Sequence, residues 1–216
     1  MRRSDLEHLI RACAGISGDD QIVVIGSQAI LGAFPDAPES MLTLVEADVF
    51  PRQHPELADQ IDVMIGELSH FHETFGYYAH GVGPETAIAP NGWEERLIPV
   101  VGEQLEGASG WCLEPHDLVV AKMAAGREKD WYFIEEALRH RLVRPEILHE
   151  RLRELRVSAK RRHELAELLD GRLKQIDRKA AESEAGLADP SLSGSRVWVK
   201  PHRRGHSSIR GYWRSH

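Results

Sequence analysis

The stretch QIVVIGSQAILGAF, residues 21–34, narrows the possible folds more than any other part of this chain. Ile22 to Ile25 form an unbroken β-branched run, the pattern of a strand buried on both faces. The run stops at Gly26-Ser27 and passes into small and apolar residues suited to a helix that Ser27 can cap. A strand covered on both sides needs helices packed over it, so the expected class is α/β.

The next strand, expected over Leu42 to Phe50 and ended by Pro51, carries Glu46 and Asp48. Side chains alternate along a strand, so these two acids share one face while Val45, Ala47 and Val49 take the other. Two carboxylates one pleat repeat apart make a hard-oxygen site suited to Mg²⁺, an ion that favours carboxylates together with phosphate oxygens. A Gly-Ser turn entering a helix brings backbone N–H groups near an anion. One element for phosphates and the next for a metal is the logic of metal-assisted phosphoryl or nucleotidyl transfer.

Other elements follow from periodicity. SDLE at 4–7 reads as a capping box ahead of a helix with Leu6, Leu9, Ile10 and Cys13 on one face. Leu57, Ile61, Met64, Leu68, Phe71 and Phe75 recur at helical spacing and predict one helix over 55–75 with that stripe facing a core. GYYAHGV at 76–82 suits a strand, and GWEERLIPVVG another short one among turns. Pro115, Asp117 and Gly126 bound a helix over 115–125. A second helix begins near Arg127 with Trp131, Ile134 and Leu138 on one face, and helical patterns continue at 145–156 and 158–184. GLADPSLSGSR reads as a linker. The expected division is an α/β core over 1–112, a helical subdomain over 113–184, and a linker with a basic tail over 185–216.

Lys122 lies four residues after Leu118 and Asp130 four before Ile134, so each charge shares a helix face with an apolar residue and needs a partner. A chain break at Gly126 would let Lys122, Arg127 and Asp130 converge on the strand acids. Neither Asp62 nor Glu67 is favoured as a third carboxylate. His70 and His72 are two residues apart and do not share a helix face, which argues against a zinc pair. His116 reads as a first-turn surface residue, and Trp93 and Trp111 as packing aromatics.

The order strand, Gly-Ser, helix, strand with acid-x-Asp resembles the minimal nucleotidyltransferase fold, which implies an α/β (α+β) core with a mixed sheet flanked by helices and a C-terminal helical subdomain. GWCLEPHDLVVAKMAAGREKDWYF looks like the later Lys…Arg-x-x-Asp segment of AbiEii-like and MenT-like toxin nucleotidyltransferases, and the resemblance covers about residues 20–155. It implies phosphate handling by Gly26 and Ser27 and Mg²⁺ binding by Glu46 and Asp48. It further implies a nucleotide site completed by Lys122 and Asp130, with Arg127 beside them, and Asp48, Lys122 and Asp130 as the catalytic set. The implied reaction uses a nucleoside triphosphate and Mg²⁺ to modify tRNA or a protein, as a toxin with a cognate antitoxin. At one point the chain departs from the family: Glu46 stands where Asp is usual. A catalytically silent relative acting as a nucleotide sensor or antitoxin-type partner is the alternative reading.

The formal charge of −7 hides an asymmetry, because no acid follows Asp189. Residues 196–216 interleave Arg and Lys with Trp198, Tyr212 and Trp213, and look like short strands around GHSS that could contact tRNA or another nucleic acid. Cys13 and Cys112 sit apart in apolar contexts, as reduced thiols do. No segment is long and apolar enough to span a bilayer, and the expected location is cytoplasmic.

Overall fold

The structure is a computed structural model that describes residues 1–187, with side chains to residue 182, and four short strands beyond. The chain divides into two compact units, Met1–Arg172 and Leu173–His216. In the first, helix α1 (Arg3–Ser17) buries Leu6, Leu9, Ile10 and Cys13 completely. It starts one residue before the expected cap: the Arg2 N–H donates to the Asp5 carboxylate at 2.7 Å, while Glu7 pairs with Arg3 instead of capping. Gly18, at φ +72°, ends it.

Strand β1 (Gln21–Val24) is the middle of a five-stranded mixed sheet. Strand β2 (Glu46–Pro51) runs antiparallel to it, pairing Val24 with Val49. Strand β3 (Tyr78–Gly81) runs parallel to β2, which sets Tyr78 beside Glu46 and His80 beside Asp48. On the other side lie β5 (Ser109–Cys112), parallel to β1, and β4 (Ile98–Val100), antiparallel to β5. The order β3-β2-β1-β5-β4 and the flanking helices give the expected mixed α/β architecture.

Several local expectations are corrected. The second strand begins at Glu46, not Leu42. The preceding residues are held instead by their carbonyls, Leu44 accepting from Gln28 Nε2 at 2.8 Å. Ser27 does not cap with its side chain; Ser27–Ala29 is a single 3₁₀ turn leading into the short helix α2 (Ile30–Ala33). Strand β5 has no counterpart among the expected strands, because its Ser-Gly-Trp-Cys lacks the β-branched signal. Gly110 is there for clearance: a methyl group at that position would stand 2.5 Å from Ile10 Cδ1 of the helix above.

The single helix expected over 55–75 is two, α3 (Ala58–Ile65) and α4 (His70–Phe75). Gly66 closes α3 with its N–H on the Asp62 carbonyl, and Ser69 starts α4 by accepting from the His72 N–H at 3.2 Å. The break turns the stripe outward, leaving Met64 61%, Leu68 82% and Phe75 48% exposed. Helix α3 packs along β3, and the contact is close at Gly81. Its N–H donates to Asp62 Oδ1 at 3.3 Å, and a Cβ there would lie 2.0 Å from the Ala58 carbonyl oxygen.

Helix α5 (Pro115–Ala125) has the expected bounds, with Pro115 in its first turn and Gly126 at φ +66° ending it. Helices α6 (Glu128–Arg139), α7 (Pro145–Glu154) and α8 (Ala159–Leu187) follow, α8 spanning the division between the units. In α6 it is Phe133, not Trp131, that is buried beside Ile134 and Leu138. Asp117, fully buried, accepts from Arg96 Nε at 2.7 Å and lies 3.1 Å from Arg151 Nε, tying the 93–96 turn and α7 to α5. Burial pushes the Asp117 carboxyl above its ordinary value even against the Arg96 hydrogen bonds. His116 is not a free surface residue: it sits 2.6 Å from Glu114 Oε1 and accepts from the Arg144 N–H at 2.9 Å. Trp93 and Trp111 pack against the core cluster of Val23, Ile25 and Phe50, as expected of packing aromatics. Both cysteines are free and buried.

In the second unit, β6 (Val197–Val199) pairs antiparallel with β9 (Tyr212–Arg214), and β7 (His202–Arg204) with β8 (Ser207–Ile209). The sequence reading expects two short strands, in VWVKPHRRG and IRGYWRSH; the first segment carries β6 and β7, while β8 ends at the start of the second and β9 lies within it. Most of the expected linker, residues 188–196, lies outside the described residues, as do the tail side chains proposed to meet nucleic acid. Among the described residues, no helix is long and apolar enough to cross a membrane.

Candidate active site

A cavity of about 550 Å³ opens above the C-terminal end of β1, in the size range of small-molecule sites. Gly26, Ser27, Glu46, Asp48, Lys122, Arg127 and Asp130 all line it. The elements that carry them are far apart in sequence and meet here because β1, β2 and the α5–α6 corner converge.

Gly26 is shaped by Asp48. The Ile25 N–H donates to the Asp48 carbonyl at 3.0 Å, fixing the register, and the carboxylate then lies over Gly26 so closely that a Cβ would stand 2.0 Å from Oδ2. The glycine is demanded by this approach and not by its backbone angles, which are extended at φ −81° and ψ −168°.

Glu46 and Asp48 do point to one side, and β3 adds a third group beside them. His80 Nδ1 lies 3.0 Å from Asp48 Oδ1 and 3.6 Å from Glu46 Oε1. One ligand atom from each of the three residues falls within a 4.8 Å cluster. Tyr78, the other inward residue of β3, donates its hydroxyl to Glu46 Oε2 at 3.0 Å and so orients the longer glutamate arm. Burial pushes the Asp48 carboxyl above its ordinary value, the Glu46 charge adds to the rise, and the His80 hydrogen bond opposes it. Burial and Glu46 together push the Tyr78 phenol up to about 12, so it stays a donor.

Two carboxylates and an imidazole with space around them are a donor set for a divalent cation. Asp48 packs against Gly26 on one side and stays 29% exposed in the cavity lining on the other. The residues present therefore fit a metal ion.

The opposite wall is cationic. Lys122 Nζ donates to Asp130 Oδ1 at 3.0 Å and stands 4.8 Å from the centre of the Phe133 ring. Arg127 Nε donates to Asp130 Oδ2 at 2.8 Å. Lys122 and Asp130 are both buried, and Gly126, in its left-handed conformation, turns the chain so that they can meet. The two partners shift in ways that favour and oppose the pair. Burial raises Asp130, but the Arg127 hydrogen bonds and the Lys122 charge outweigh it and hold the carboxyl below its ordinary value. At Lys122 burial wins, and the ammonium lies below its usual value despite Asp130. Asp130 has two cations against one desolvation penalty, so its charge is the firmly held one.

The rim is apolar. Leu44, Ile88 and Tyr132 are 42%, 44% and 57% exposed, yet all three face this one cavity. Lys129 lies nearby in the same lining. Inside, Ser40 donates to the buried Glu136 at 2.5 Å and fixes the loop before β2 against α6.

Sequence reasoning missed His80 and Tyr78. The strand over 76–82 was visible, and its alternation places Tyr78 and His80 on one face. What could not be read was that this strand lies beside β2 in parallel register. Asp62, one of the two acids left open as a third carboxylate, is spent on the Gly81 N–H at the sheet edge.

A short mixed sheet whose second strand offers an acid-x-Asp pair to a cavity, with a Gly-Ser turn before it and helices behind, is a nucleotidyltransferase-like fold. The chain belongs to a family described as nucleotidyltransferase of unknown function (DUF6036), which matches residues 4–180. No curated protein and no solved structure matches it.

Proposed function

We propose that this protein is a metal-dependent nucleotidyltransferase that moves a nucleotide from a nucleoside triphosphate to a hydroxyl of tRNA or of a protein, acting as a toxin-like effector opposed by a cognate antitoxin. The observation that carries the reading is the meeting, in one cavity, of the Glu46–Asp48–His80 cluster with the Lys122–Arg127–Asp130 network. In this reading residues 1–112 form the core, 113–184 the helical part that completes the site, and 185–216 an appended segment that reaches nucleic acid.

In the transfer, the acceptor oxygen bonds to the α-phosphorus, the bond from that phosphorus to the bridging oxygen breaks, and pyrophosphate leaves. The hydroxyl proton passes to water. A bound divalent ion, Mg²⁺ by resemblance, supplies charge neutralisation and alignment of the phosphates. Glu46 and Asp48 hold that charge on the floor of the cavity, and Tyr78 keeps Glu46 turned toward it. Arg127 and Lys129 face the same space and attract the polyphosphate. Lys122, fixed by Asp130, presents an ammonium without the entropy of a free lysine arm. Gly26 and Ser27 let the chain backbone approach the phosphates. Leu44, Ile88 and Tyr132 give the base an apolar rim to cover.

The test is incubation of the protein with each labelled triphosphate and total RNA or lysate, beside Asp48→Ala and Lys122→Ala. Label transferred by the wild type and lost in both variants is expected. Equal labelling by all three proteins removes these residues from the mechanism, and a wild type that transfers nothing with any triphosphate and gains no thermal stability from them defeats the reading.

A further inference from the structure

The cluster on the cavity floor holds a nitrogen where a site built for Mg²⁺ would hold oxygen. We infer that His80 Nδ1 is a third protein ligand of the divalent ion and that it turns the site's preference from Mg²⁺ to Mn²⁺. The inference rests on the metal-dependent reading of the same site.

Position argues first. His80 is the β3 residue in register with Asp48, so the imidazole comes from the neighbouring strand at the height of the acid pair. Its Nδ1 faces both carboxylates, 3.0 Å from one and 3.6 Å from the other. Two adjacent ligands on an octahedral ion with bonds of about 2.1 Å stand about 3 Å apart, so little movement separates the observed cluster from a coordinating one. The side chain is about half exposed, which leaves an ion a route in.

Competition argues next. Of the cations lining the cavity, Lys122 is committed to Asp130 at 3.0 Å and Arg127 to the same carboxylate at 2.8 Å, while Lys129 makes no ion pair with Glu46 or Asp48 among the described residues. His80 is therefore the one described basic side chain in hydrogen-bonding reach of Glu46 and Asp48. A cation entering between the acids must either displace the imidazole or use it.

Ligand chemistry then decides between ions. Mg²⁺ demands near-ideal octahedral oxygen coordination and gives up water reluctantly, whereas an imidazole nitrogen suits transition ions. Mn²⁺ accepts carboxylate, phosphate and imidazole together while keeping six positions, and so leaves room for a triphosphate. The longer Glu46 arm, held by Tyr78, suits an ion with looser geometry better than one with strict geometry.

The experiment titrates the whole protein with Mn²⁺, reading free Mn²⁺ by electron paramagnetic resonance, with Mg²⁺ as competitor. The expected result is Mn²⁺ affinity at least about tenfold above that for Mg²⁺, and nitrogen modulation of the bound Mn²⁺ signal in electron spin-echo spectra. His80→Ala should lose the modulation and about tenfold or more in Mn²⁺ affinity, the scale for loss of a metal-site partner. His80→Asp should narrow the difference between the two ions. Thermal midpoints measured in chelator show whether the variants remain folded, and the wild-type spectrum stands on its own if they do not. Mn²⁺ bound by the wild type without nitrogen modulation overturns the inference and leaves the metal-dependent reading standing. No saturable binding of either ion, with Asp48→Asn indistinguishable from wild type, overturns both.

Discussion

Asp48 occupies the volume that a side chain at Gly26 would need: its Oδ2 lies 2.0 Å from the position of a Cβ there. Gly26→Ala therefore forces the carboxylate away from the cavity floor although the backbone tolerates alanine. The expected cost is about 1 to 3 kcal/mol in urea unfolding, the usual range for overpacking, together with loss of divalent-ion binding. Adding Asp48→Ala should return the stability without returning the ion. Ion binding retained by Gly26→Ala would refute the packing argument.

Lys122 and Asp130 are both buried, so removing one charge strands the other. Asp130→Asn should destabilise by about 3 to 5 kcal/mol, and Lys122→Met in the same chain should recover much of that. Unfolding curves for the two single variants and the double variant check it, and simple additivity would show that the pair is not coupled.

Acid should reveal the same pair. Asp130 has a folded pKa below its unfolded value of about 3.9, so its contribution is complete above about pH 5 and is lost as pH falls through the lower folded value. The stability gap between wild type and Asp130→Asn should shrink from about pH 5 toward about pH 2. Lys122 acts in the alkaline range with a slope of the same sign: its lowered ammonium value means that the charged form costs stability at neutral pH, and stability rises as pH climbs from that value toward the ordinary lysine range. A gap that is constant in acid would place no ionised carboxylate at position 130.

Asp117 provides the contrast, a fully buried acid held by Arg96 and Arg151 away from the cavity lining. Asp117→Asn should lower stability by about 3 kcal/mol, measured by denaturant, because Arg96 and Arg151 lose their buried counter-charge and keep only the more exposed Glu154. Affinity for divalent ions, measured below the unfolding range, should stay at the wild-type value. A change in ion affinity would mean that this network shapes the site.

The sequence was most readable where local chemistry decides the structure. The run Ile22 to Ile25 could only be a covered strand, and Pro115 with Gly126 marked both ends of α5 because each residue acts within its own turn. The acid pair and the Lys122–Asp130 approach were legible for the same reason, through alternation and helical spacing. Strand β5 was hidden because its glycine answers to Ile10, far off in the chain. Helical spacing across 55–75 misled because Gly66 and Ser69 end one helix and start another, which periodicity does not weigh. His80 was beyond reach for a third reason: its meaning comes from strand order, and parallel neighbours are joined through long connections that local pattern does not report.

The close fit of Gly81 on α3 reaches further than the sheet edge. His80 is the preceding residue, so the seam between Gly81, the Ala58 carbonyl and Asp62 governs how far the imidazole can drift from the two acids. Discrimination by ionic radius would then be inherited from a joint that no substrate touches. A bulkier residue at position 81 would retune the chemistry from outside, shifting the strand that carries His80 without altering any ligand's identity.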